Sequence, residues 1–227
     1  MKLVQWIVHG VLAALTGAVG PASAQDLVIG QVAPLSGVLA STGAQMVLGG
    51  RIYFDHINSK GGIHGARIRQ MVADDGYKVD ETLRLTQDLL ARSDVVALYG
   101  FAGTANVGKL LSEGVLEQGG AVLVAPYTGG EPLRTPFNPR IYHVRAGYAD
   151  EAEHMVQQVT TLGMSRVAVM YQDDGFGKAG LAGVEAALAR RGLKLAVAAG
   201  YERNTDKVDE AVKRIKASDV QAVIMIS

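Results

Sequence analysis

Short runs rich in Val, Ile and Leu alternate with longer helical segments along most of the chain. Several of these runs are apolar at every position, which is typical of strands that are covered on both faces. The predicted strands are Leu27–Val32, Arg67–Val72, Val95–Tyr99, Ala121–Ala125, Ile141–Val144, Arg166–Tyr171, Lys194–Ala199 and Val220–Ile226. The predicted helices are Gly43–Asn58, Asp80–Arg92, Val107–Gln118, Ala149–Leu162, Gly177–Arg191 and Thr205–Ala217. This alternation predicts an α/β fold with doubly wound parallel sheets.

A proline-rich segment interrupts the alternation. Residues 126–148 contain four of the six prolines of the chain, and we predict no helix there because proline breaks helix interiors. The sequence therefore predicts two lobes, an N-terminal lobe over residues 25–144 and a second lobe over residues 145–227. The second lobe would hold only about three strands. Because the chain ends on one of them, Val220–Ile226, we expect the second lobe to be incomplete.

The first 24 residues have the pattern of a secretory signal peptide. Lys2 supplies the positive start, residues 3–20 are mostly apolar, and Ala22-Ser23-Ala24 is a small-residue cleavage site. The alternative is a permanent membrane anchor, but the segment is weakly apolar for a span. We therefore expect cleavage after Ala24 and a mature chain that begins at Gln25, outside the cytoplasm.

Composition argues against several function classes. The 22 basic and 22 acidic residues give a formal net charge of zero, and no basic stripe suggests nucleic acid as a partner. The chain has no cysteine, so neither a thiolate metal site nor a redox site is expected. The histidines of the mature chain are not spaced as a helical metal pair, and we expect neither a metal nor a cofactor. No Gly-x-Ser-x-Gly motif is present, so an exported hydrolase is a weak alternative and no catalytic residue is assigned.

A glycine-rich turn at residues 103–109 follows one strand and opens a helix. It matches the first seven positions of a phosphate-binding loop, but Leu110 stands where that loop needs a magnesium-binding hydroxyl. An exported protein also meets no ATP, so nucleotide binding is disfavoured. The hydroxyl of Thr104, together with free N–H groups at a helix N-terminus, suits a carboxylate. The alternative is that Thr104 only caps the helix.

Other segments after predicted strands could contribute to a site. The loop at residues 34–43 is rich in hydroxyls and glycine, and open α/β sheets bind ligands at the carboxyl ends of their strands. Asp173-Asp174 could bind a cation, although capping of the next helix is the favoured interpretation. Asp74-Asp75 is interpreted as a turn or hinge pair. Tyr127 and Tyr148 suit a pocket wall or, equally, a surface turn.

Taken together, these segments resemble the leucine/isoleucine/valine-binding family of type I periplasmic binding proteins, the extracytoplasmic solute-binding proteins of ABC transporters. The matching stretches are Ile29–Gly37, Ile57–Gly65, Ala73–Asp75, Tyr99-Gly100 with Gly103-Thr104, Ala125-Pro126, Val144-Arg145 and Tyr171–Gly177. They cover nearly all of the mature chain in the order that the family has. The resemblance implies two Rossmann-like lobes joined by a hinge, a periplasmic location, a small ligand held between the lobes, and an inner-membrane ABC permease as partner.

The resemblance also implies the ligand-binding residues. In the family, hydroxyls and backbone groups after the third and fourth strands hold the carboxylate and ammonium of an amino acid. The residues carried over are Ser36, Thr42, Thr104, Ala105, Tyr127, Thr128, Gly129 and Tyr148. Several family members have consecutive serines where this chain has Thr104-Ala105, a threonine at Gly129 and an aromatic residue at Thr42. The ligand therefore stays open between an amino acid, an amide and an aromatic or aliphatic carboxylate.

Two functions fit this resemblance. One is a solute-binding protein for transport, and the other is a ligand-sensing receptor domain of the same fold. Relatives continue past residue 227, and we expect the continuation to hold the second-lobe acid that pairs with a ligand ammonium.

Overall fold

Two parallel β-sheets with flanking helices make up the part of the chain described by the computed structural model, which covers residues 25–227. The signal-peptide prediction for residues 1–24 lies outside the described residues. The strands are β1 (Leu27–Ala33), β2 (Ile68–Asp74), β3 (Val95–Tyr99), β4 (Leu123–Val124), β5 (Ile141–Tyr142), β6 (Val167–Gln172), β7 (Val197–Tyr201) and β8 (Ala222–Ile226). The α-helices are α1 (Ala40–Ser59), α2 (Val79–Leu90), α3 (Thr104–Ser112), α4 (Val115–Gln118), α5 (Tyr148–Thr161), α6 (Gly175–Ala189) and α7 (Asp209–Lys216).

The strand orders confirm the predicted α/β fold with two parallel sheets. The first sheet has the order β2-β1-β3-β4-β5 and the second has the order β7-β6-β8. All pairings in both sheets are parallel. In each sheet the strand order reverses at the strand that comes first in the chain, which is β1 in the first sheet and β6 in the second. Crevices at such switch points are where open α/β sheets bind ligands.

Each sheet has its own apolar core. In the first lobe, Leu98 of β3 and Leu123 of β4 are fully buried against Val107 and Leu110 of α3. In the second lobe, Val169 of β6 is fully buried in a cluster with residues of α5, α6 and β8. Separate cores let each sheet hold its own strand ends in fixed positions.

The proline-rich segment carries the chain from the first sheet to the helices of the second. It contains a short 3-10 helix at Glu131–Leu133, and β5 adds to the edge of the first sheet beside β4. Arg134 stabilises the segment by linking its middle to its end, because its Nη2 donates to the carbonyl oxygens of Arg145 and Ala146 at 2.9 and 3.2 Å. The next helix, α5, packs against α6 of the second lobe.

The structure corrects two predicted helices. The segment Val107–Gln118 forms two helices, α3 and α4, because Gly114 between them has φ +63° and ends the regular helix. The predicted helix Thr205–Ala217 begins only at Asp209, since Thr205 donates to the carbonyl of Glu202 in a turn. In the described range 25–227, no helix is long and apolar enough to cross a membrane.

Candidate functional site

A cavity of about 220 Å³ lies between the carboxyl ends of the two sheets. Its first-lobe walls come from the segments after β1, β2, β3 and β4, and its second-lobe walls from the ends of β6, β7 and β8 and the start of α6. The lining residues are Val38, Leu39, Tyr77, Ala102, Gly103, Tyr127, Tyr148, Gln172, Phe176, Tyr201, Asn204, Thr205 and Ser227. The parallel strands of each lobe thus bring residues far apart in the chain to one cleft.

Aromatic side chains dominate this cavity. Five of its thirteen lining residues are Tyr or Phe, whereas only 6% of the chain is aromatic. The rings of Tyr148 and Phe176 meet edge to face, with centroids 5.4 Å apart. Aromatic walls of this kind offer both apolar area and stacking surface to a ligand.

The N-terminus of α3 lies at the cavity because Gly103 lines it. Gly103 has φ +97°, and a Cβ there would lie 2.4 Å from Asn106 Oδ1 and 2.8 Å from the ring of Tyr77. Only glycine therefore fits this turn. The first N–H groups of a helix have no intrahelical partner and carry the positive end of its dipole, so this end of the cavity favours an anion.

Thr104 and Thr128 form a hydroxyl pair beside that helix end. Their Oγ1 atoms are 2.6 Å apart, and Thr128 Oγ1 also accepts from the N–H of Gly130 at 3.1 Å. Thr128 is fully buried and Thr104 is 5% exposed. Either hydroxyl can donate in this pair, and neither residue is among the lining residues of the cavity. If Thr128 donates to Thr104, the hydrogen of Thr104 is left for another acceptor. Thr104 has no side-chain capping bond, and the N-cap is Gly103.

The other residues implied by the resemblance lie in different places. Tyr127 and Tyr148 line the cavity. The carbonyl of Gly129 accepts a hydrogen bond from the N–H of Tyr148 at 2.7 Å. Ala105 lies against Gly175 of the second lobe, because a Cβ built on Gly175 would be 3.5 Å from the backbone nitrogen of Ala105.

Ser36 and Thr42 lie outside the set of lining residues, while Val38 and Leu39 of the same loop belong to it. Asp74 holds this loop, because its Oδ1 accepts from the N–H groups of Leu35 and Ser36 at 2.8 and 3.2 Å. Burial acts to raise the pKa of Asp74, but these hydrogen bonds, with others from Gly76 and the Ser36 side chain, hold the pKa below its usual value. The Asp74 carboxylate therefore organises a turn, as the sequence predicted.

The phosphate-binding-loop alternative has no support in the geometry. Lys109 pairs with Glu113 one helical turn away at 2.7 Å, and Leu110 is fully buried in the core. The lysine therefore lies on the outer face of α3 and not over the cavity.

Asp174 caps α6, as the sequence predicted. Its Oδ1 accepts from the N–H groups of Phe176 and Gly177 at 2.9 and 3.1 Å. Its Oδ2 accepts from Gln172 at 2.7 Å and faces Arg203 at 3.2 Å. The second carboxylate oxygen thus belongs to a polar group at the lobe interface.

Sequence reasoning missed this interface group, which we call the Arg203 cluster and which comprises Arg203, Asp174, Tyr77 and Asn106. Arg203 follows β7 in the second lobe, and Tyr77 and Asn106 belong to the first lobe. The guanidinium lies 3.8 Å from the centroid of the Tyr77 ring. A charged residue just after a predicted strand was the only signal in the sequence, and it does not identify a partner.

A second cationic side chain lies at the outer edge of the aromatic wall. The guanidinium carbon of Arg145 is 5.2 Å from the ring centroid of Tyr127 and 5.4 Å from that of Tyr148. Glu151 pairs with it. An adjoining cavity of about 220 Å³ shares Tyr127, Tyr148 and Phe176 with the first cavity and is also lined by Arg145.

Comparison with known proteins agrees with this architecture. The family model described as "Periplasmic binding protein" matches residues 26–227. Leu/Ile/Val-binding protein homolog 7 of Brucella suis is 25% identical over 95% of this chain and 55% of its own length. The chain thus spans about half the length of the curated relatives it matches.

Solved structures give the same result. A substrate-binding periplasmic protein from Ralstonia solanacearum is 39% identical, with a TM-score of 0.85 over 89% of this chain and 57% of that one. An extracellular ligand-binding receptor from Verminephrobacter eiseniae is 30% identical, with a TM-score of 0.81 over 89% and 57%. The chain belongs to the leucine/isoleucine/valine-binding family of type I periplasmic binding proteins.

Proposed function

We propose that this chain captures a small carboxylate ligand between its two lobes, as the extracytoplasmic solute-binding protein of an ABC transporter. The observation that carries the proposal is the cavity at the facing strand ends of both sheets, with the N-terminus of α3 at its wall. The signal-peptide pattern of residues 1–24 supports a periplasmic location. An inner-membrane ABC permease is the proposed partner. The proposed lobes are residues 25–144 and 145–227.

Each end of the ligand has proposed partners. The hydroxyl of Thr104 and the free N–H groups of the first turn of α3 bind the carboxylate. The aromatic side chains of Tyr127, Tyr148 and Phe176 enclose the ligand body, so an apolar or aromatic body is favoured. Thr128 acts through Thr104, since its own hydroxyl is fully buried. An amino acid and an aromatic or aliphatic carboxylate both stay within this proposal.

A thermal-shift screen of the full chain tests the proposal. The panel holds leucine, isoleucine, valine, their amides, and benzoate and phenylacetate as aromatic acids. A ligand that binds only the folded state stabilises it by about 2.7 kcal/mol at 100 times its Kd. We expect at least one carboxylate to raise the melting temperature, with titration calorimetry giving a Kd. A panel in which no compound binds would overturn the proposal.

A receptor domain is the second candidate, and the similarity to the extracellular ligand-binding receptor favours it. Both candidates predict ligand binding but differ in the cellular consequence of binding. Uptake of the radiolabelled ligand by cells with and without the gene separates them. Loss of uptake supports transport, whereas normal uptake with loss of a ligand-induced cellular response supports a receptor.

A further inference from the structure

Arg203 reaches from the second lobe into the first. Its Nη2 donates to the backbone carbonyl of Tyr77 at 2.6 Å and to Asn106 Oδ1 at 2.7 Å. Its guanidinium also stacks on the Tyr77 ring. Arg203 follows β7 by two residues, whereas both acceptors belong to the first lobe. One side chain therefore makes two charged hydrogen bonds and a cation–π contact across the cleft, and such bonds are stronger than those between neutral groups.

The second lobe holds Arg203 ready for this contact. Asp174 Oδ2 lies 3.2 Å from Nη1, and the two side chains are only 14% and 10% exposed. Asp174 is itself held by the N–H groups of α6 and by Gln172. The charge of Arg203 is thus balanced by a carboxylate of its own lobe.

The first lobe presents the two acceptors through its own hydrogen bonds. Asn106 Nδ2 donates to Thr82 Oγ1 at 2.7 Å, which turns Asn106 Oδ1 toward Arg203. Thr82 Oγ1 donates in turn to Asp75 Oδ2 at 2.5 Å. Asp75 Oδ1 accepts from the N–H of Tyr77 at 2.9 Å, and this bond fixes the turn that exposes the Tyr77 carbonyl. The second lobe therefore provides the positioned donor, and the first lobe provides the two positioned acceptors.

The contact lies beside the cavity but does not occupy it. Tyr77 lines the cavity, and so do Asn204 and Thr205, the next residues after Arg203. Asn204 Nδ2 adds a longer bond to the Tyr77 carbonyl at 3.4 Å. Separation of the lobes at the cleft would break all these contacts together.

We propose that the Arg203 cluster is an inter-lobe latch that holds the cleft closed with or without a ligand. Ligand access then requires the latch to open, and the closed fraction of the ligand-free protein depends on Arg203. The latch goes beyond the proposed function and does not depend on which ligand, if any, is bound.

The test measures the inter-lobe distance in the full chain without ligand. Because the chain has no cysteine, the substitutions Gln87→Cys and Lys216→Cys provide the only two sites for spin labels. Both positions are exposed. They lie on α2 and α7, the helices that follow the two halves of the latch. Double electron–electron resonance then measures the distribution of lobe separations.

We expect a single short distance in the parent and a longer, broader distribution in Arg203→Ala. The ratio of closed to open molecules should fall about tenfold or more, as expected for the loss of hydrogen bonds from a charged group. Arg203→Lys keeps the charge but cannot reach both acceptors and stack, so it should open the cleft as well. Arg166→Ala is the matched control, since Arg166 pairs with Asp219 inside the second lobe at 3.2 Å, and its distribution should equal that of the parent.

Asn106→Ala removes an acceptor on the other lobe and should shift the distance in the same direction. Circular dichroism establishes that each variant is folded. If Arg203→Ala does not fold, Arg203→Lys and Asn106→Ala decide the matter. Distributions that match the parent in the folded variants would overturn the latch.

Discussion

The Thr104 hydroxyl is the single group on which the proposed carboxylate site depends most. Thr128 Oγ1 accepts from the N–H of Gly130 and forms a bond with Thr104 Oγ1 in which either hydroxyl can donate. In the proposed site Thr128 is the donor of that bond, and the hydrogen of Thr104 is then left for the ligand carboxylate. Thr128 in this arrangement supports Thr104 and does not contact the ligand.

Thr104→Val is expected to weaken binding of the carboxylate found in the screen while the fold stays intact. Valine keeps the shape of threonine and removes the hydroxyl. The loss of a hydrogen bond to a charged group costs roughly 1.5–3 kcal/mol, or about ten- to a hundredfold in affinity. Titration calorimetry measures the effect. Lys109→Ala, on the outer face of the same helix, should bind as the parent does. Unchanged affinity in Thr104→Val would remove this residue from the site.

His143 is a half-buried titratable residue in the proline-rich segment. Its Nε2 lies 3.1 Å from the carbonyl of Leu133, and among the described residues its buried Nδ1 has no partner. Burial lowers the pKa of His143 below its usual 6.5; the bond to Leu133 opposes this, Arg134 lowers the pKa further, and Glu131 raises it. The folded chain therefore binds this proton less readily than the unfolded chain.

The free energy of unfolding should therefore fall as the pH drops below about 6.5, the unfolded pKa of histidine. In that range the unfolded state gains a proton that the native state resists. His143→Gln keeps a donor for the Leu133 carbonyl and cannot titrate. We expect a shallower loss of stability between about pH 7 and pH 5 in urea unfolding. His154→Gln, at an exposed position of α5, is the control. Equal pH slopes in His143→Gln and the parent would contradict this account.

The start of α6 shows how a helix is placed against a strand end. A Cβ on Gly177 would lie 1.8 Å from the carbonyl oxygen of Gln172 at the end of β6. Asp174 caps the same turn. The close approach lets Phe176 reach the cavity, so a backbone requirement and a site residue depend on the same turn.

Gly177→Ala is expected to destabilise the protein by about 1–3 kcal/mol, since the strand end and the helix must move apart. Gly49→Ala is the matched control in α1, where a Cβ would meet nothing within 4 Å. There alanine should stabilise by about 0.5–1 kcal/mol, because it restricts the unfolded chain and favours helix. Chemical denaturation measures both. If both substitutions changed the free energy of unfolding in the same direction, the close contact at Gly177 would not contribute to stability.

At the scale of the whole molecule, the second sheet exposes an apolar edge in the described part of the chain. β8 pairs with β6 on one side, and it is the end strand of its sheet. Val223 and Met225 are 45% and 61% exposed along it. Exposed apolar edge strands template pairing with other chains, so self-association of residues 25–227 is expected to start here.

Met225→Lys is expected to reduce concentration-dependent association, because a charged side chain on an edge opposes strand pairing. Leu162→Lys is the control, since Leu162 is also 61% exposed but lies at the end of α5. Sedimentation velocity over a range of concentrations distinguishes the two variants. An equal effect of both lysines would assign the association to general surface hydrophobicity and not to the edge.

Local patterns in the sequence were enough for the fold class and for most of the elements. Continuous apolar runs predicted the strands of both sheets, and glycine and proline marked the turns. Asp174 was correctly interpreted as a helix cap, because a cap depends on residues only two or three positions away. The end of the helix at Gly114 was missed, since a single glycine inside an apolar pattern does not by itself indicate a left-handed backbone conformation.

The cleft was decided by the tertiary structure. Tyr77 and Arg203 are 126 residues apart, and Thr104 and Thr128 are 24 apart. Their contacts exist only because strand order brings the carboxyl ends of each sheet together and sets the two lobes face to face. Periodicity and capping act over a few residues, so the sequence by itself determined which elements form. Which side chains meet across the cleft depends on how two separately packed cores are positioned, and no local pattern carries that information.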